Sequence, residues 1–160
     1  MLLGEEAVPL VPIAELLLYC ADRAQHLAEV VRPALAAGRI VVCDRFSDST
    51  VAYQGHGRGL DLGTIRALDA NARGDLTPHL TFLLDCPVAE GLARARNRGP
   101  GDRFEREAVE FHERVRAGFL ALAAESPERY CVLQSTEPMN VVRAQVIAET
   151  DARLARERGA

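Results

Sequence analysis

Residues 40–43 (IVVC) form a short apolar run that ends in an acid and a base, Asp44 and Arg45, and polar side chains then recur at helical spacing through Gly55. A buried strand passing directly into a helix is the repeating unit of an open α/β sheet, and such sheets bind ligands where strands deliver their carboxyl ends. Two further runs of strand length, 80–86 and 130–133, alternate with helical segments. Strands alternating with helices predict a parallel sheet covered on both faces. Three strands are few for that architecture, so the expected sheet is small or is completed from outside these residues.

The helices follow from apolar periodicity and its punctuation. A long helix is predicted over 13–37, starting after Pro12 and ending at Gly38, with Leu16, Leu17, Cys20, Ala24, Leu27 and Val31 as its apolar stripe. Pro33 should disturb its last turn. Shorter helices are predicted over 49–55, 62–73, 88–98, 104–124 and 140–158. The glycine-rich stretch 55–59 reads as an irregular loop, and Gly99-Pro100-Gly101 separates the helices over 88–98 and 104–124.

Composition narrows the function classes. At 160 residues the chain is read as one domain. A net charge of −4 gives no global reason to expect nucleic acid or an anionic membrane as partner. With no 18-residue apolar run and no basic start, the expectation is a cytoplasmic protein without a membrane span or signal peptide. Cys20, Cys43, Cys86 and Cys131 are widely spaced and are expected to be buried, reduced thiols without chemistry. All 19 basic residues are arginine. The absence of lysine excludes a phosphate loop of the form G-x-x-x-x-G-K-[ST] within these residues.

Three segments carry candidate chemistry. An aspartate closing a strand can hold a magnesium-bound water, and an arginine beside it can grip a phosphate through two parallel hydrogen bonds. Asp44 and Arg45 fit that pairing, although a solvated turn or a structural ion pair is as good a reading of those two residues alone. The next turn favours a site, because Ser49 and Tyr53, and Thr50 and Gln54, stand four apart on shared helix faces. In the long helix, Tyr19, Arg23 and His26 occupy a stripe offset from the leucines; an aromatic ring and an arginine can stack on a base and bond its edge. A half-buried tyrosine beside a solvated arginine is the plainer alternative. The third segment contains Arg94, Arg96, Arg98, Asp102 and Glu105 around Gly99–Gly101. It reads equally as a mobile flap over a polyphosphate or as an exposed basic helix face answered by nearby acids.

Together these blocks resemble bacterial thymidylate kinases: AELLLYCADRAQH at 14–26, PALAAGRIVVCDRFSDSTVAYQGHGRGL at 33–60, LTFLLD at 80–85 and R-x-R-x-R-x-x-x-DRFE at 94–105. The resemblance covers residues 2 to about 135. It implies an α/β fold of the P-loop NTPase class, in the nucleoside-monophosphate kinase group, with a parallel sheet flanked by helices and a lid at 94–105. It implies transfer of the ATP γ-phosphate to dTMP, with Mg2+, in a homodimer. Residue by residue, it places Tyr19 on thymine and Arg23 at the base edge. Arg45 falls on the dTMP phosphate. Ser49, Thr50 and Gln54 line the pocket, and Tyr53 lies against the deoxyribose. Asp44 falls near magnesium, Arg94, Arg96 and Arg98 in the lid over ATP, and Asp102 and Glu105 across the site as metal or sugar ligands. The family's first strand, lysine-bearing glycine loop and second strand have no counterpart in these 160 residues, and His79 and Gln134 stand where the family usually has aspartate. The expectation is a partial dTMP pocket with little turnover, the alternative being a non-catalytic nucleotide-binding module of the same fold.

Overall fold

The computed structural model describes residues 10–97 and 104–158. In chain order the elements are α1 (Pro12–His26), a π-helical turn (Leu27–Val31), α2 (Arg32–Ala36), α3 (Ser47–Thr50), a second π-helical segment (Val51–Gly57), α4 (Leu62–Arg73), β1 (Thr81–Asp85), α5 (Val88–Arg96), α6 (Val109–Glu125), β2 (Tyr130–Gln134) and α7 (Met139–Arg158). β1 and β2 are parallel and in register from Thr81 opposite Tyr130 to Asp85 opposite Gln134. α5 and α6 make the crossover between them, as a parallel pair requires. Among the described residues no helix is long and apolar enough to cross a membrane.

The strand expected at 40–43 does not form. Its backbone runs without strand pairing, and Ile40 and Val42 are 74% and 92% exposed. A strand is defined by its neighbour, and among the described residues the sheet consists of β1 and β2 alone. Apolar side chains on the paired strands, Leu84 and Val132, are exposed as well.

The long first helix is found, with its irregularity where proline dictates it. Pro12 opens α1 at a position whose N–H needs no intrahelical partner. Pro33 cannot donate to the carbonyl four residues back and crowds it, and the helix widens into the π turn Leu27–Val31 just before it. Gly38, at φ +69°, ends the run. The buried stripe is Leu16, Cys20, Leu27 and Val31; Leu17 and Ala24, placed on it by the sequence reading, are exposed. Helix α6 starts at Val109 rather than at Phe104, which lies in a preceding turn. The cysteines expected to be buried divide: Cys20 is buried, Cys86 and Cys131 are half-buried, and Cys43, in the segment that forms no strand, is exposed.

Two apolar clusters hold the molecule. Leu16, Cys20, Val51, Ile65, Leu122, Ala123 and Tyr130 join α1, α4, α6 and β2. Ala52, Phe104, Phe111 and Val115 form the other, with Tyr19, Tyr53 and Phe119 packed against it. The second π-helical segment lies on α6 at backbone distance. A Cβ on Gly57 would fall 2.6 Å from the Phe111 ring, and one on Gly118 would fall 2.7 Å from the His56 ring. The stretch read as a loose glycine loop is therefore helical through Gly57, and its glycine there serves a close approach.

Two forked arginine pairs fasten the short elements. Arg129 donates to both oxygens of Asp48 at 2.8 and 3.0 Å and to the Thr81 hydroxyl at 3.2 Å, tying α3 to the start of both strands. Arg116 donates to both oxygens of Asp85 at 2.7 and 2.8 Å, tying the end of β1 to α6. Burial alone would raise the Asp48 carboxyl, but the hydrogen bonds and charge of Arg129 prevail and hold it below its ordinary value. Hydrogen bonding from Arg116 likewise lowers Asp85. Burial pushes the neighbouring Tyr130 phenol well up.

A carboxylate lowered by folding contributes stability above its unfolded pKa, about 3.9, and loses it as pH falls through the folded value. Asp48→Ala should cost about 3 kcal/mol near neutral pH, because it strands Arg129 in a partly buried site. Its deficit relative to the parent should shrink in urea unfolding below about pH 4. A deficit that stays constant into acid would contradict the linkage.

Candidate functional site

The unpaired segment 40–43 leads into the most unusual backbone of the chain. Arg45 has φ +68°, the positive φ found at a non-glycine residue among those described. That conformation costs an L-residue about 1–2 kcal/mol and is retained where the surroundings impose it, commonly at functional sites. Locally, the Cys43 thiol donates to the Arg45 carbonyl at 3.1 Å across the turn. The guanidinium of Arg45 lies 5.1 Å from the centroid of the Tyr53 ring. Tyr53 is in turn held edge-on by Phe104, Phe111 and Phe119 at centroid distances of 5.1, 6.2 and 6.1 Å. The result is an exposed arginine over an aromatic platform, with the exposed Asp44 next to it in sequence.

The i, i+4 pairs expected after the turn do share faces. Thr50 and Gln54 are both turned inward, each 2% exposed, while Ser49 and Tyr53 are half-buried. Thr50 meets α1: its hydroxyl accepts from Arg23 Nη2 at 2.6 Å. Arg23 Nη1 donates to Asp69 at 2.8 Å, and its guanidinium lies 5.7 Å over the Phe46 ring. Tyr19, one helical turn earlier, packs on the Tyr53 cluster. Tyr19, Arg23, Arg45, Ser49, Thr50 and Tyr53 thus come from α1 and from the 45–53 segment to one region. His26, on the same stripe of α1, is exposed.

Gln54 is committed to the interior. Its amide donates at 2.5 Å to Glu15, which is 1% exposed, and Arg58 Nε stands 3.9 Å from the same carboxylate oxygen. Arg58 also donates to Glu107 at 2.6 Å and lies over the rings of Phe111 and Phe104 at 5.0 and 5.5 Å. This network links α1 and the platform to the turn that carries Glu105, which is half-buried. Among the arginines of the third segment, Arg94 is held by Glu90 and by the Ser135 carbonyl at 2.9 Å. Arg96 is exposed at the end of α5. Arg98 and Asp102 lie outside the described residues.

Among the described residues no three histidine, cysteine, aspartate or glutamate side chains gather into a metal-holding set. Magnesium does not require one, since it keeps several waters and is bound through one or two carboxylates plus substrate phosphates. Asp44, exposed beside the cationic Arg45, fits that donor pattern.

The sequence reading missed the residues that hold these side chains: Asp69 on Arg23, Glu15 on Gln54, and Asp48 and Arg129 on α3. Asp69 and Arg73 carry a signal, standing four apart on α4 and bonded at 2.8 Å. Glu15, inside an apolar run, carries another.

Comparison with known proteins identifies the family. The family model described as thymidylate kinase matches residues 1–146. A thymidylate kinase of Desulfovibrio desulfuricans is 53% identical over 150 residues, covering 89% of this chain and 69% of the relative. One of Pseudomonas fluorescens is 53% identical over 156 residues, covering 98% of this chain and 73% of the relative. The crystal structure of thymidylate kinase from Ehrlichia chaffeensis superposes with a TM-score of 0.69 at 32% identity, over 91% of this chain and 67% of that one. The chain belongs to the thymidylate kinase family, with its helix-rich α/β fold and parallel sheet.

Proposed function

We propose that this chain supplies the dTMP pocket and part of the ATP-facing surface of a kinase that passes the ATP γ-phosphate to dTMP, giving dTDP. The observation that carries the reading is Arg45, held at φ +68° over the Tyr53 ring beside the Arg23–Thr50 pair. A strained arginine on an aromatic platform presents a donor fork suited to a phosphate, and the adjacent ring gives the sugar a flat wall. Tyr19 and Arg23, from α1, are assigned to the base: a ring to stack on it and a guanidinium to donate to its carbonyl edge. Ser49, four residues before Tyr53 and half-buried like it, is assigned to the pocket wall. Thr50 and Gln54 act from within, Thr50 by holding Arg23 and Gln54 by fixing the wall to Glu15.

Phosphoryl transfer of this kind depends on in-line positioning and charge neutralisation, so no protein nucleophile is required. Magnesium, when bound, supplies further neutralisation on the phosphates, with Asp44, Asp102 and Glu105 as the assigned carboxylates. Arg96 and Arg98 are assigned to the ATP phosphates within a lid at 94–105, and Arg94 to anchoring its base through Ser135. The P-loop NTPase class to which the fold is assigned grips the β- and γ-phosphates with a lysine. Since these 160 residues hold no lysine, the reading is dTMP binding without appreciable turnover from these residues alone.

dTMP should raise the melting temperature of the chain, and dGMP should not. Arg45→Ala should weaken dTMP binding about 10–100-fold, the worth of one or two charge-assisted hydrogen bonds, and abolish that shift. Arg96→Ala should leave it intact. An unchanged shift in Arg45→Ala would overturn the phosphate assignment, and no shift with any nucleotide would favour a non-binding relative.

The dimer is assigned to the start of α1, where Ile13, Leu17 and Leu18 are exposed. Adjacent apolar side chains of this size on one helix favour a second apolar surface. Sedimentation should find a dimer that Leu17→Asp converts to monomer; a monomeric parent would refute the assignment.

A further inference from the structure

We propose that Asp69 is a specificity-determining positioning residue, setting the orientation in which Arg23 meets the nucleobase; the inference rests on the assignment of Arg23 to the base edge. Asp69 is 5% exposed and divides its carboxylate between two arginines. Oδ1 accepts from Arg23 Nη1 at 2.8 Å, and Oδ2 accepts from Arg73 Nε at 2.8 Å. Arg73 is itself fixed, because its Nη1 donates to the carbonyls of Gly74 and Leu76 at 3.3 and 3.2 Å and to the Thr77 hydroxyl at 3.1 Å. Turning Asp69 would therefore break its bonds to both arginines.

The other side of Arg23 is fixed independently, Nη2 donating to Thr50 at 2.6 Å. A guanidinium is planar, so a bond at each terminal nitrogen defines its plane and direction. The N–H groups left over are donors only. An edge made only of donors accepts a base carbonyl, as thymine presents at C4, and rejects the amino group that cytosine presents there. Fixing that edge is a condition for discrimination, because an arginine free to swing could bond the cytosine ring elsewhere. Retaining a counter-charge also matters: without Asp69, Arg23 would be a partly buried cation facing the neutral Thr50 hydroxyl and the Phe46 ring.

The test is calorimetric titration of the chain with dTMP, with dCMP measured by competition. The parent should prefer dTMP. Asp69→Asn, which keeps the shape and removes the charge, should lower that preference about tenfold, mainly by weakening dTMP. Arg66→Ala, an exposed position on the same helix, should change neither affinity. Equal weakening of both nucleotides, or an unchanged ratio, would overturn the inference and leave Asp69 a structural residue. Should Asp69→Asn not fold, Arg73→Gln carries the test: freeing the second oxygen should lower the ratio in the same direction, and an unchanged ratio would refute it. Arg23→Ala separates the two claims. If it keeps the parent's preference, or if the parent binds no dTMP, the base-edge assignment fails and the role of Asp69 falls with it.

Discussion

The site depends on how closely the segment Val51–Gly57 lies on α6. Gly57 and Gly118 leave no room for a Cβ, so the π-helical segment seats the backbone of Gly57 against the Phe111 ring and its own His56 ring against the backbone of Gly118. That seating decides which way its side chains turn. Ala52 and Gln54 go into the interior, and Tyr53 is delivered onto Phe104, Phe111 and Phe119. Only then does Arg45 have a platform. π-Helical turns recur at functional positions because the extra residue per turn re-aims side chains that a regular helix would align.

Arginine does the fastening throughout. The pairs on Asp48 and Asp85 use both terminal oxygens of each carboxylate, a geometry that a single ammonium could not reproduce. Each joins elements too short to hold themselves: a four-residue α3, and a five-residue β1 with one partner strand. The same side-chain type then occupies the site, at Arg23, Arg45 and Arg58, where one guanidinium bridges two or three elements. The chemistry that stabilises the fold and the chemistry assigned to phosphate recognition are therefore continuous.

Local signals gave the helices, β1 and β2, because apolar periodicity, Gly74 and the prolines act within a few residues. The segment 40–43 was misread for the opposite reason. Its composition is that of a buried strand, but pairing is a non-local property, and Ile40 and Val42 remain exposed without it. Glycines 55 and 57 read as part of an irregular loop because a sequence does not reveal that Leu62 and Phe111 will approach them. At the site, the i, i+4 spacing of Ser49, Thr50, Tyr53 and Gln54 was legible. The partners that orient them, Glu15 and Asp69, stand 39 and 46 residues from Gln54 and Arg23, beyond any local pattern.

The central claim is that α1 and the 45–53 segment together form one nucleotide pocket. Side-chain NMR of the chain titrated with dTMP tests it most directly. The account predicts coincident shifts at Tyr19, Arg23, Arg45 and Tyr53. It also predicts no response at Arg66 and Glu125, two exposed, ion-paired residues at the border of a cavity of about 370 Å³ next to α3. Shifts concentrated around that cavity, with Arg45 and Tyr53 silent, would contradict it.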